Sequence, residues 1–338
     1  MIQVREEAFR HYFGFMEERM NIFWRRYHGQ SMPYTSDKIL RNHKFTNVYR
    51  ATDRVSQYLI KEVINGSDKS LTEEDLLLNI LVFKVFNKID TWKYIKQHYP
   101  SITVKNFNAK TLSDLLTSRR EHQPIFNGAY IMTGSSRFYT TLKYKHQRWL
   151  QMIQMEIIDE KKLTAIAKAR SLEAVYFLLK ECTFIGPFLA YQYAIDFNYS
   201  EVIDFSENSF VMAGIGAQRG IKKCFMSLNG YSFEDAIRYT YDNLDLYRSK
   251  YGYSFTNLFG REPKLIDLQN CFCETDKYLR EKIPILKVGN KRIKQRYVEN
   301  SNRIQFSFPL KWKIDSKENG YAFNNDKSYT TPLFSEFR

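Results

Sequence analysis

Residues 5 to 28 set Phe9, Tyr12, Phe13, Phe15, Met16, Met20 and Phe23 among arginines and glutamates, the spacing of one helix face. The same 3.6-residue period recurs over 53–63, 72–86, 109–119, 137–157, 171–180, 188–197, 232–248 and 264–281. The run Ser70, Leu71, Thr72, Glu73 reads as a capping signal opening 72–86, and Ser171 opens another. Strand-like alternation is confined to Arg303–Ile314, where Pro309 restricts a strand to a sheet edge. The expectation is an all-α chain: a helical domain over 1–281, with 282–338 as an irregular or β basic extension packed on it. Within that extension Lys287–Arg296 is strongly basic and reads as exposed.

A hydrophobic fraction of 43% is enough for a real core. No apolar run reaches the length of a membrane span, and the N-terminus lacks a signal-peptide pattern, so the expected location is the cytoplasm, without membrane contact. Cys271 and Cys273 have no histidine nearby, which removes zinc-ligand spacing; these two, Cys182 and Cys224 read as reduced, mostly buried thiols. The six histidines show neither metal nor triad spacing. No metal and no cofactor are expected, and the chain is read as a monomer.

The net charge of +14 suits a phosphate-backbone partner, and the aromatic fraction of 16% suits stacking on unpaired bases. A Lys-, Asn-, Tyr- and Phe-rich composition also follows from AT-rich coding, so composition alone leaves the partner open. The stretch 170–225 narrows it. One helix, a turn with Gly186 and Pro187, and a second apolar helix are followed by Asp204, Glu207 and Asn208, then Gly214-Ile215-Gly216-Ala217 and Arg219-Gly220. Backbone N–H groups at such a turn can hold a phosphate, although an ordinary helical hairpin has the same pattern.

The hairpin followed by carboxylates resembles the helix-hairpin-helix DNA glycosylases. That resemblance implies a catalytic carboxylate at Glu207 or Asp204, with Asn208 positioning water or the base. Only one hairpin glycine is in place and no lysine nucleophile stands out, so the implied enzyme is monofunctional. Five further segments resemble a narrower group. They are His43–Arg50 continuing through Asp53-Arg54 to Tyr58, then Val82–Trp92, Gly186–Ser200, Ser206–Gly220 and Leu268–Arg280. The group comprises the thymine base-hypermodification proteins: α-glutamyl/putrescinyl thymine pyrophosphorylase-like proteins and the helical domain of 5-hydroxymethyluracil DNA kinases.

The residues of these motifs suggest roles. Phe45, Asn47, Tyr49, Arg50, Asp53 and Arg54 form a polar and aromatic set suited to a flipped pyrimidine. Gln192, Glu274 and Lys277 join them as candidate substrate contacts. Asp196 ends the second hairpin helix, where a carboxylate opposes the helix dipole, and is a further catalytic candidate. Gly186, Arg219, Gly220, Lys222 and Lys223 are candidate phosphate contacts. No P-loop occurs, so the chain is not itself read as the kinase of such a pathway. The leading expectation is a hydrolytic DNA glycosylase that excises a hypermodified pyrimidine, such as a glucosylated 5-hydroxymethyl base, in phage defence. The alternatives are a transferase placing an amine or amino acid on 5-(pyrophosphoryloxymethyl)uracil with loss of pyrophosphate, and a non-catalytic reader of modified DNA.

Overall fold

The computed structural model describes residues 2–128, 132–286, 296–297 and 305–314. The described residues form fourteen α-helices and one antiparallel pair of strands, β1 (Gln3–Val4) and β2 (Phe225–Ser227). The chain divides into two compact units, one drawn from Met1–Asp53 and Val211–Phe306, the other from Arg54–Phe210 and Ser307–Lys313. This differs from one domain over 1–281, and the division falls at Asp53/Arg54 and Phe210/Val211.

In the first unit lie α1 (Glu6–Tyr27), α2 (Lys38–Asn42), α11 (Ile215–Cys224), α12 (Phe233–Asp242), α13 (Leu244–Tyr251) and α14 (Leu265–Lys282). The period of α1 buries Phe9, Tyr12, Phe13, Phe15 and Met16. The Tyr12 ring stacks on Phe272 of α14, and its hydroxyl donates to Leu268 O. Asp37 caps α2 by accepting from Ile39 and Leu40 N–H. The helix expected over 232–248 is two helices, broken at Asn243, with Ser232 and Asp235 forming a reciprocal cap at its start.

In the second unit lie α3 (Arg54–Tyr58), α4 (Glu73–Phe86), α5 (Ile89–His98), α6 (Ala109–His122), α7 (Lys145–Met152), α8 (Lys162–Ala167), α9 (Leu172–Lys180) and α10 (Pro187–Phe197). Two π-helical stretches, Leu59–Asn65 and Ile153–Asp159, continue α3 and α7. The capping box of α4 is built by Thr72 and Asp75, two positions beyond Ser70–Glu73. Helices α9 and α10 pack as a hairpin, with Ser171 capping the first. The expected helix start at 137 is corrected: 132–144 is irregular, and the helix begins at Lys145.

The described part of Arg303–Ile314 is no strand. Pro309 initiates a 3-10 turn over Leu310–Trp312, because its fixed φ and missing N–H suit a turn rather than a ladder. Residues 287–295 and 315–338 of the basic extension lie outside the described residues. No described helix is long and apolar enough to cross a membrane. Cys182, Cys224 and Cys271 are buried, Cys273 is half-buried, and all four are free thiols.

Candidate active site

In the first unit, the 43–53 segment lies against α1 and α14 and carries a dense polar cluster. Half-buried Arg19 of α1 donates from Nη2 to Asn47 Oδ1 at 2.7 Å and from Nε to Thr46 O at 3.1 Å. Glu274 of α14 is buried; its Oε2 accepts Thr46 N–H at 3.0 Å and its Oε1 pairs with Lys277 at 2.7 Å. Asp53 accepts the Asn47 N–H at 2.9 Å, and Asp267 accepts the Arg50 N–H at 3.0 Å. Asn270 donates to Asn47 O at 3.0 Å, completing the clamp on the loop.

Asp53 keeps partial exposure yet sits in dense protein, and this desolvation raises its carboxyl pKa to about 6; the Asn47 N–H, Arg19 and Arg50 oppose the rise, while Glu274 adds to it. A carboxylate titrating this close to neutrality can exchange protons at working pH. The shift has a sign that can be tested. Unfolded Asp53 titrates near 3.9 and folded Asp53 near 6, so the native state binds the extra proton between these values. Its contribution to stability is therefore greatest below about pH 4 and is lost as pH rises through about 6, on the order of 2 kcal/mol. Asp53→Asn keeps an acceptor for Asn47 but cannot ionise. Thermal melts between about pH 4 and 8 should show the variant gaining on the parent as pH rises; parallel curves would rule out the shifted carboxyl.

The other residues named from sequence have different surroundings. Phe45 packs on Phe15 and Tyr278 in this cluster's unit. Tyr49 is corrected from a base-stacking residue to a core residue: it is 1% exposed, and its hydroxyl donates to Arg261 O and accepts Leu258 N–H. Arg50 is buried, and Arg54 is exposed at the start of α3 in the second unit.

The stretch Gly186–Gly220 is split between the two units. In the second, Glu207 is buried and accepts the Trp312 indole N–H at 3.0 Å. Asp204 is exposed, 3.3 Å from Lys311 Nζ, and half-buried Asn208 donates its N–H to Ser206 Oγ. Asp196 is fully buried and pairs with buried Lys84 at 3.3 Å, which gives the carboxylate a cation in place of the unfavourable helix end. Gln192 is buried on α10. Gly186 caps α10 ahead of Pro187, and a Cβ there would meet nothing within 4 Å.

In the first unit, the glycine-rich segment is not a phosphate loop. Gly214 caps α11, and Gly216 and Gly220 lie inside that helix against α14. A Cβ on Gly216 would lie 2.4 Å from Cys273 Sγ, and one on Gly220 would lie 2.0 Å from Phe272 O. Close helix approach, rather than anion binding, is what these glycines supply. Lys223 is corrected too: it is 1% exposed and pairs with Asp276 at 3.0 Å. Lys222 is exposed beside the Phe233 ring, and Arg219 is half-buried.

A separate open cleft of about 700 Å³ in the second unit is walled by Phe138, Tyr139, Met155, Glu156, Glu160 and Glu181, among others. Tyr139 has a left-handed φ of 59° and donates to Glu156 Oε1 at 2.6 Å. None of the candidates taken from sequence lines it. Among the described residues no group of three or more His, Cys, Asp or Glu is arranged to hold a metal ion.

These features define a helical protein with a buried polar cluster in which a partly exposed, protonatable carboxyl accepts the Asn47 N–H beside the charges of Arg19 and Glu274. Residues 6–288 match the family described as the 5-hmdU DNA kinase helical domain, and the chain belongs to that family. It is 25% identical over 281 residues to a 5-hmdU DNA kinase of Bacillus phage SP10, covering 79% of this chain. It spans only 44% of that relative's length. No solved structure matches.

These matches bear out the resemblance to the thymine-hypermodification group and overturn the glycosylase reading. The family and the relative are named for a modification of the base that leaves it in the DNA, so base excision, hydrolase chemistry and the corresponding roles of Glu207, Asp204, Asn208 and Asp196 are withdrawn.

Proposed function

We propose that this chain modifies pyrimidines in DNA at the 5-methylene position. It would bind DNA carrying 5-(pyrophosphoryloxymethyl)uracil and join an amine to the methylene carbon. The amine nitrogen forms a bond to that carbon, the carbon–oxygen bond breaks, and pyrophosphate leaves with the bonding pair. The attacking nitrogen then gives up a proton. The observation that carries the reading is the family match across 6–288.

Asp53 supports it as the proton acceptor, because a pKa near 6 leaves it mostly ionised but still basic at neutral pH. Asn47 is fixed at both ends of its amide, accepting from Arg19 and donating to Thr52 O, and so shapes the loop, while half-buried Phe45 offers an apolar ring to a pyrimidine taken out of its stack. Arg219 is the candidate for the leaving phosphate.

A second reading has its own observation. The relative carries the name kinase, this chain spans 44% of it, and the sequence holds no P-loop. The helical unit would then present 5-hydroxymethyluracil DNA for a phosphoryl transfer that needs a nucleotide-binding partner.

One experiment separates the two. Duplexes containing 5-hydroxymethyluracil or 5-(pyrophosphoryloxymethyl)uracil are incubated with the protein, with and without a primary amine and ATP, and digested to nucleosides for mass spectrometry. Transfer gives a heavier aminated nucleoside from the pyrophosphorylated duplex without ATP, slowed about 100-fold or more in Asp53→Asn. Presentation gives no product until a kinase is supplied. Binding of neither duplex would exclude both.

A further inference from the structure

The cations of this chain are unevenly spread. Residues 88–148 hold eleven Lys and Arg against Asp90, Asp114 and Glu121, a net of +8 in a chain whose total is +14. None of the eleven is buried, and among the described residues the one close ion pair they make is Lys110–Asp114, itself exposed. A stretch with this excess repels itself, so it is electrostatically costly unless an anion covers it.

The fold lays part of this excess out in a line. On α5, Lys96 lies over the Trp92 ring at 5.8 Å, and Lys93 is exposed on the same helix. Arg119 of α6 stacks over Tyr94 of α5 at 4.3 Å and donates to Asp90 O at 3.1 Å, joining the two helices. The next residue, Arg120, lies 4.0 Å over Tyr144, and Lys143 lies 5.1 Å from the same ring. Tyr144 immediately precedes α7, so cation–ring contacts run from α5 across α6 to the start of α7. A ring holds a guanidinium or ammonium at the surface without neutralising it, and its N–H donors stay available to phosphate oxygens.

From this arrangement we infer that the α5–α6–α7 stripe is the surface that docks the DNA backbone, gripping phosphates irrespective of sequence. This rests on the proposed action on DNA and adds where the duplex is held. Backbone contacts of this kind release counterions, so they are read in the salt dependence of binding.

The test uses the full chain and short duplexes containing 5-hydroxymethyluracil or 5-(pyrophosphoryloxymethyl)uracil, with fluorescence anisotropy across a salt series. Lys93→Gln/Lys96→Gln/Arg120→Gln/Lys143→Gln should weaken binding at least about tenfold near physiological salt and flatten the slope of log K against log salt by about 3.6, near 0.9 for each of the four lost phosphate contacts. Lys61→Gln/Lys69→Gln/Lys168→Gln/Arg170→Gln removes the same charge from exposed positions elsewhere in the unit and should leave the slope within about 1 of the parent. Equal slopes for parent and stripe variant, or equal losses in both variants, overturn the stripe while leaving action on DNA intact. Stripe-dependent binding to anionic lipid vesicles with no stripe dependence on DNA also overturns it. A parent that binds no duplex overturns the proposed function as well.

Discussion

Gly220→Ala is expected to destabilise the first unit by about 3 kcal/mol, near the upper end for overpacking a tight contact. The added Cβ would sit 2.0 Å from Phe272 O, 2.7 Å from its carbonyl carbon and 3.2 Å from its Cα. All three are backbone atoms of α14, so no side-chain rotation relieves the clash, and α11 must move off its neighbour. Alanine otherwise gains up to about 1 kcal/mol over glycine inside a helix, so a solvent-facing Gly220 would give the opposite sign. Gly216→Ala is the companion. Its Cβ meets a side chain, Cys273 Sγ at 2.4 Å, so Gly216→Ala/Cys273→Ala should recover most of the single-mutant loss. Urea denaturation measures all three. A Gly220→Ala protein as stable as the parent would refute the helix-crossing role of this glycine.

Asp276→Asn is expected to cost about 3–5 kcal/mol. Asp276 has no exposed surface and lies between two cations, Lys223 at 3.0 Å and Arg280 one turn along α14. Lys223 also donates to the Asp276 carbonyl oxygen at 2.8 Å. Burial already lowers the Lys223 pKa, opposed by Asp276, and losing the carboxylate leaves a 1% exposed ammonium beside a guanidinium. The lysine would then fold deprotonated or drive the helices apart. Asp276→Asn/Lys223→Met should regain a large part of the loss, because the second change removes the uncompensated charge. A single Asp276→Asn loss below about 1 kcal/mol would show that this ion pair does not hold α11 to α14.

The helices were legible where periodicity and caps agree. Helices α1, α4, α9, α10 and α14 begin and end within one or two residues of their expected limits, because each has a continuous apolar face. What failed depends on neighbours distant in sequence. Gly216 and Gly220 carry the same local signal whether they cradle phosphate or admit a packed helix, and only Phe272 and Cys273 on α14 distinguish these. The hairpin followed by carboxylates pointed to Glu207, whose partner Trp312 lies in the C-terminal segment and makes it a buried hydrogen-bond acceptor. Asp53 stood out as one member of a polar motif, but its raised pKa needs the burial and the charge of Glu274 brought by α14. The α5–α6–α7 stripe escaped notice because its cations belong to separate segments joined by Tyr94 and Tyr144.

On the proposed function, the pyrimidine that this chain alters remains attached to its sugar. The most direct measurement is the mass of every nucleoside recovered from 5-(pyrophosphoryloxymethyl)uracil DNA after incubation with the protein and a primary amine, with the same strands treated with alkali. The expected result is full recovery of the modified position as an aminated nucleoside, in strands that survive alkali uncut. Loss of that nucleoside with alkali-labile abasic sites in its place would contradict it.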